Sequence, residues 1–319
     1  MIAQEPLAPV PAADMTTVPV AGAGDSAGAR PQARSLPAAY LELTKPGIVR
    51  MVLITAAAGY VMASGSVIAI PGLLHALFGM ALVAAGSCGL NQWLEWRIDA
   101  GMRRTADRPI PTGQITPGRA LAFSAGISLV GLVHLAVFVN ALTMCLVALS
   151  LVTYVAVYTP LKRVTWHNTV IGAIPGALPI LAGWTAAEGP FDARGLALFA
   201  ILFLWQMPHF FALAWMYRKD YRDAGFRMIT DNDPAGVRTS RYMVGYGIAL
   251  LVVSLIPAEV GLVGAGYAAA AAFLGSGFLA FMLVLAASPS DARAVRVFLG
   301  SIVYLPLLLL VMVADKLLA

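Results

Sequence analysis

Nine apolar runs, each of about 17 to 25 residues, follow one another from Lys45 to the C-terminus, and each is long enough to cross the hydrocarbon core of a bilayer as a helix. They lie at roughly 47–65, 72–94, 118–138, 141–158, 168–187, 196–217, 241–258, 262–287 and 295–313. The tightest join falls between the third and fourth runs, at 138–141. With 60% hydrophobic and only 12% charged residues and a mean hydropathy of +0.80, the chain lacks the polar surface of a soluble domain, about a quarter of whose residues are charged. A soluble globular enzyme is therefore excluded.

The basic residues give an independent check on the number of spans. If the N-terminus is cytoplasmic, alternate loops should collect Lys and Arg, and 19 of the 21 do fall on that side, with only Arg194 and Lys316 outside it. A wrong number of spans would invert the later loops and scatter this distribution. The expectation is an all-α integral membrane protein of nine transmembrane helices around a central cavity, N-terminus in the cytoplasm and C-terminus outside. The same topology explains a net charge of +5 without nucleic acid. Residues 1–36, rich in Ala, Pro and Gly, lack the basic start and apolar core of a signal peptide. They read as a disordered tail ahead of one nine-helix domain over 37–319. Cys88 and Cys145 lie in apolar stretches without Cys or His at ligand spacing, so neither a disulfide framework nor a zinc site is indicated.

Two loops on the cytoplasmic side, about 95–117 and 218–240, are longer than a connection requires and carry clustered acids. In Asn91-Gln-Trp-Leu-Glu95-Trp-Arg-Ile-Asp99 the oxygen-bearing side chains recur every four residues, so on a helix they turn through only about 80° and share one face. Hard oxygens so arranged suit Mg²⁺, which takes one or two carboxylates together with substrate phosphates. Arg103, Arg104 and Arg108 follow directly and can grip phosphate oxygens. The competing reading pairs Glu95 and Asp99 with Arg103 and Arg104 as ion pairs at a helix end. The second loop argues against it, because Asp220 and Asp223 sit three residues apart among Arg218, Lys219, Arg222 and Arg227. Two such clusters on one side of the membrane can share a diphosphate through metal ions. Asp220 is the stronger ligand candidate, since Asp223 can equally be a solvated partner of Lys219.

The first of these patterns, with Met102-Arg103-Arg104-Thr105 and Arg108-Pro109, resembles the first motif of the UbiA-type intramembrane prenyltransferases, in the branch that farnesylates protohaem IX. Leu43-Thr44-Lys45-Pro46, Tyr158-Thr159-Pro160-Leu161-Lys162-Arg163, Gly172-Ala-Ile-Pro-Gly176-Ala-Leu-Pro179, Trp205-Gln-Met-Pro-His209-Phe-Phe-Ala-Leu-Ala-Trp215 and Asp220-Tyr-Arg-Asp-Ala-Gly225 match further stretches of that family, from about 43 to 313. The resemblance implies Mg²⁺-dependent transfer of farnesyl from farnesyl diphosphate to a vinyl group of haem b, with haem b a substrate rather than a cofactor. It implies metal ligation by Asn91, Glu95, Asp99 and Asp220, a cationic clamp of Arg103, Arg104, Lys162 and Arg163, and substrate contacts from Arg108, Tyr158, His209 and Asp223. It places the protein in the bacterial inner membrane with its active site facing the cytoplasm, and it raises a haem A synthase or oxidase assembly protein as a partner. Residues 227–236 are more polar than the resemblance implies.

For several of these residues a plainer reading stands beside the functional one. His209, next to Pro208, can simply satisfy a backbone group freed by proline. Lys162 and Arg163 can be ordinary positive-inside residues. His75 and His134 read as structural, and His167 as interfacial. Two other functions remain open: a UbiA-type enzyme acting on a quinone precursor or chlorophyllide, and an ion-coupled transporter. Transporters carry their acids near the bilayer midplane, whereas these lie at helix ends.

Overall fold

The computed structural model describes residues 35–102, 104–187 and 191–318, so the tail expected over 1–36 lies almost wholly outside the described residues, as does Arg103. Among the described residues the structure is helical, and nine helices are long and apolar enough to cross a membrane. A short α1 (Leu36–Leu43) precedes α2 (Pro46–Ala63), α3 (Ile70–Asp99) and α4 (Pro117–Phe138). The fourth span is composite: α5 (Ala141–Val152), a π-helical turn (Thr153–Tyr158) and α6 (Thr159–Leu161). Then come α7 (Asn168–Ala186), α8 (Ala193–Met216), the short α9 (Arg218–Asp223), α10 (Val237–Val253) with α11 (Ile256–Glu259), α12 (Ala265–Ala287) and α13 (Asp291–Leu318).

The tight join between the third and fourth runs is made by one side chain. Asn140 caps α5 by accepting from the Thr143 N–H at 2.8 Å, and its amide donates to the Thr185 carbonyl of α7 at 2.9 Å. Asp192 opens α8 similarly, accepting from the N–H groups of Arg194 and Gly195, each at 3.1 Å.

The bundle is organised about α7. Within its most apolar window 72% of residues are buried, against 17 to 50% in the other spans. It packs along α2, α5 and α8, while α3 pairs with α4, and α10 and α13 lie on α8. Small residues permit the α2–α7 crossing: a Cβ at Gly59 would fall 2.0 Å from the Ile180 carbonyl oxygen, and one at Gly183 1.9 Å from that of Ala56. The prolines of α7 are compensated locally. Pro179 cannot donate to the Pro175 carbonyl, and the Ser150 hydroxyl does so instead at 2.9 Å.

Candidate active site

The second apolar run does not stop at residue 94. α3 continues as helix to Asp99, which places Asn91, Glu95 and Asp99 on successive turns of one face, at 2%, 6% and 3% exposure. The acids thus lie at a packed helix end, as their spacing implies, and the connection expected over about 95–117 begins after Asp99. Burying two carboxylates requires partners, and the structure supplies cations from three other segments.

Lys45 is the first. The Gln92 amide donates to the Leu43 carbonyl at 2.8 Å and ties the end of α1 to α3. The chain then turns through Lys45 in a left-handed conformation (φ 49°) before Pro46 opens α2, a strained state that packing must hold in place. The Lys45 ammonium donates to Asn91 Oδ1 at 3.1 Å. Burial, and then the nearby Arg108 guanidinium, push it down to about 8. Asn91 Nδ2 in turn donates to Glu95 Oε2 at 2.9 Å and to Thr159 Oγ1 at 3.1 Å.

The second cation comes from the end of the fourth span. Pro160 has no N–H, and the preceding turn widens to the π form, with the Thr159 N–H and hydroxyl both directed to the Tyr154 carbonyl. This turn presents Tyr158, Thr159 and Lys162 to α3. Lys162 Nζ lies 3.0 and 3.1 Å from the two Glu95 carboxylate oxygens and 4.7 Å above the centre of the Tyr158 ring. Burial alone would lower the Lys162 ammonium, but Tyr158 and the Glu95 carboxylate reverse this and hold it above its ordinary value. Arg108 is the third cation, with Nη1 2.5 Å from Asp99 Oδ2. Glu95 and Asp99 are therefore ion-paired, as the plainer reading held, but with Lys162 and Arg108, neither of which that reading had named.

The second loop reaches this group through Arg104. Its guanidinium lies 5.1 Å from the Tyr217 ring centre and 5.9 Å from that of Tyr221, the residue that follows Asp220. Burial raises the Tyr221 phenol, with the Arg104 guanidinium acting against it. Asp220 and Asp223 themselves are exposed on α9, as is Arg163 after α6. α9 is anchored from behind by the last helix. Asp291 accepts from Trp215 Nε1 at 2.8 Å and lies 3.1 Å from Arg218 Nη1. Gly236, at φ 70°, rests against the Trp215 ring, where a Cβ would fall 1.6 Å from a ring carbon. The polar segment 227–236 also reaches the site: the Arg227 N–H donates to the Lys162 carbonyl at 2.7 Å, and Asn168 Nδ2 donates to the Arg227 carbonyl at 2.7 Å.

His209 is not part of this cluster. Its Nδ1 lies 2.7 Å from Ser301 Oγ of α13, and its ring packs on Trp205 and Phe298. His75 and His134 face each other across α3 and α4 at 3.3 Å, within a group containing Phe78 and Phe138. His167 is exposed and stacks on Trp166. Lys45, Thr159 and Tyr221 were not singled out as site residues from the sequence. The runs around Lys45, Tyr158–Lys162 and Asp220–Gly225 mark their segments, but not these side chains within them.

Among the described residues no group of three His, Cys, Asp or Glu side chains converges on one point. The α3 row offers two carboxylates and an amide oxygen, all hard donors. This set fits Mg²⁺ shared with substrate phosphates and does not fit a protein-only cage. The three cations Lys45, Arg108 and Lys162 outnumber the carboxylates of Glu95 and Asp99, so the group as a whole favours an anion.

Residues 52–306 match the UbiA prenyltransferase family. The chain is 43% identical over 286 residues to a protoheme IX farnesyltransferase of Solibacter usitatus, covering 87% of this chain and 98% of that one. It is 41% identical over 280 residues to that of Opitutus terrae, covering 87% and 94%. Among solved structures, digeranylgeranylglyceryl phosphate synthase superposes with a TM-score of 0.78 at 19% identity, over 90% of this chain and all of that one. A UbiA homologue from Archaeoglobus fulgidus bound to GPP and Mg²⁺ superposes with a TM-score of 0.62 at 14% identity, over 87% and 99%. The chain belongs to the UbiA prenyltransferase family and, within it, groups with the protoheme IX farnesyltransferases.

Proposed function

We propose that this protein transfers the farnesyl group of farnesyl diphosphate to a vinyl group of protohaem IX, giving haem O and diphosphate. The reaction takes place in the bacterial inner membrane with the site on the cytoplasmic side, the side to which 19 of the 21 basic residues are assigned by the loop pattern. The observation that carries this reading is the buried Asn91–Glu95–Asp99 row, faced by Lys45, Lys162 and Arg108, in a chain 43% identical to a protoheme IX farnesyltransferase. The row occupies the last turns of α3, away from the midplane position expected of a transporter.

Asn91, Glu95, Asp99 and Asp220 are the residues that would hold Mg²⁺, which supplies charge neutralisation to the diphosphate. Lys162 and Arg108, now on Glu95 and Asp99, are placed to move onto phosphate oxygens when substrate enters. With Arg104 and Arg163 they take up the negative charge that grows on the diphosphate as the allylic C–O bond breaks. The Tyr158 and Tyr221 rings, already beside Lys162 and Arg104, offer π-faces to an allylic cation. The vinyl group of haem attacks that cation through its terminal carbon. Water then adds to the cationic carbon left beside the porphyrin and loses a proton, which completes the hydroxyethylfarnesyl side chain. Enclosure by the helices delays hydrolysis of the cation.

The test is to incubate the purified protein with haem b, farnesyl diphosphate and Mg²⁺ and to weigh the porphyrin product. A haem that gains a farnesyl group and a hydroxyl supports the reading. A mass gain on 4-hydroxybenzoate with none on haem overturns it in favour of quinone-precursor prenylation.

A further inference from the structure

The polar segment after α9 forms one wall of a cavity of about 260 Å³ whose lining includes Trp166, Arg227, Asp231 and Arg238. It opens between the start of α7 and the start of α10, beside the reacting group, since the Arg227 main chain is bonded to that of Lys162. Arg227 and Arg238 both line it, and among the described residues neither takes part in an ion pair. Arg238 is held by neutral groups: its Nη2 donates to the carbonyls of Ile229 at 2.5 Å and Asp231 at 2.6 Å. The acids nearby are committed within the segment. Asp231 Oδ2 accepts from the Met228 N–H at 3.2 Å, and the Asp233 carboxylate accepts from the N–H groups of Arg238 and Thr239 and from the Thr239 hydroxyl. Trp166 stands edge-on to Tyr242, a ring 41% exposed on the outer face of α10, with centroids 5.5 Å apart. The cavity thus sets two arginines that form no ion pair, with the Asp231 carboxylate beside them, next to an edge-to-face aromatic pair that continues onto a span.

That combination matches an amphiphile with a large apolar body and two carboxylates at one edge. We propose that this cavity binds the propionates of the porphyrin acceptor, with Arg227 and Arg238 as their cations and Trp166 against the ring edge. The assignment rests on the acceptor being a porphyrin dicarboxylate, as in the function proposed above. Guanidiniums suit it because they pair with carboxylates through two parallel hydrogen bonds. The vinyl groups of protohaem lie away from its propionates, so anchoring the carboxylates here leaves the vinyl edge free to reach the farnesyl donor.

The experiment compares protohaem IX with its dimethyl ester as acceptors for the full chain in nanodiscs. The proteins are wild type, Arg227→Ala, Arg238→Lys and Arg194→Ala, the last removing a charge at the opposite end of the bundle. Arg227→Ala keeps the main-chain bonds of residue 227, and Arg238→Lys keeps a donor for the loop carbonyls. The expected result is that wild type and Arg194→Ala favour the diacid. In the two cavity variants KM for the diacid rises at least fivefold and KM for the ester does not change. KM for farnesyl diphosphate stays within twofold of wild type. If the cavity variants retain the wild-type preference for the diacid, the assignment is overturned while the activity stands. If both acceptors are affected equally, and only in discs containing anionic lipid, the arginines bind lipid headgroups and the assignment is again overturned. If wild type farnesylates neither porphyrin, the functional reading falls and takes this assignment with it.

Discussion

The Lys162 ammonium sits between the two carboxylate oxygens of Glu95, at 3.0 and 3.1 Å, and so joins positions 67 residues apart into one buried ion pair. Removing one member of such a pair strands the other charge away from water, at a cost of about 3–5 kcal/mol. Glu95→Ala and Lys162→Ala should each lower stability by about that amount and abolish turnover. The double variant should regain most of the stability and none of the activity. Thermal unfolding of the four proteins, combined as a double-mutant cycle, measures the coupling; additive losses would show that the pair is not closed in solution.

Chelation should separate the metal from the fold. EDTA is expected to stop farnesyl transfer and added Mg²⁺ to restore it, with the unfolding temperature little changed. Asp99→Asn keeps the size of a side chain that is 3% exposed while removing its charge. It should cut kcat/KM by about a hundredfold or more, equivalent to about 2.7 kcal/mol of transition-state stabilisation. Near-normal turnover of Asp99→Asn at saturating Mg²⁺ would remove Asp99 from the ligand set.

His209 is bonded through Nδ1 to Ser301, which orients its ring and leaves Nε2 as the remaining polar atom. If it serves the acceptor, His209→Ala should raise the haem KM by on the order of tenfold, the loss of one polar contact to a charged or metal centre. KM for farnesyl diphosphate should not follow. Visible spectra of bound haem provide a second reading, and an unchanged Soret band with an unchanged KM would leave His209 as a packing residue of the α8–α13 contact.

At the α2–α7 crossing, Gly183→Ala would drive a methyl group to 1.9 Å from a main-chain oxygen that cannot rotate away. The two helices must then separate, at a cost of about 1–3 kcal/mol or more. The melting temperature of the detergent-solubilised variant should fall, and an unaltered one would mean that the crossing is looser than described.

Asp233 predicts a pH dependence of stability. Partial burial works to raise its carboxyl, but the N–H and hydroxyl of Thr239 and the N–H of Arg238 outweigh it, and the group lies below its ordinary value. Because the folded form binds its proton less readily than the unfolded chain, the stabilisation is complete above the unfolded value of about 3.9 and disappears as the pH falls through the lower folded value. The melting-temperature difference between wild type and Asp233→Asn should therefore be constant above about pH 5 and shrink below about pH 4. A difference independent of pH would assign the effect to shape and not to charge.

The spans were legible because each is a long apolar run whose limits follow from bilayer thickness, and the α3 row because a four-residue spacing has one meaning on a helix. The partners of the row were not. Arg104 is nearer Asp99 in sequence, yet Arg108 holds it, and the partner of Glu95 stands at the end of another span. Such pairings depend on how helices meet, and neighbouring residues do not record that. The π turn was equally hidden: Pro160 announces a missing donor, but whether the helix then breaks or widens depends on what packs beside it. Residues 227–236 stand out as unusually polar, but that the segment bonds to the main chain at Lys162 is visible only in the fold.

Asp291, which fastens Trp215 and Arg218 behind the second acidic loop, belongs to α13, about 70 residues further along the chain than α9. During synthesis the loop is complete long before that helix leaves the ribosome. Until then Trp215 lacks the acceptor for its indole, and α9 lacks its rear support. The two acidic segments therefore mature at different times: the α3 row can gather its cations once Lys162 is in place, whereas the second loop waits for α13. A nascent chain stalled before Asp291 would carry a first motif ready for anions and a second that is still searching for its place.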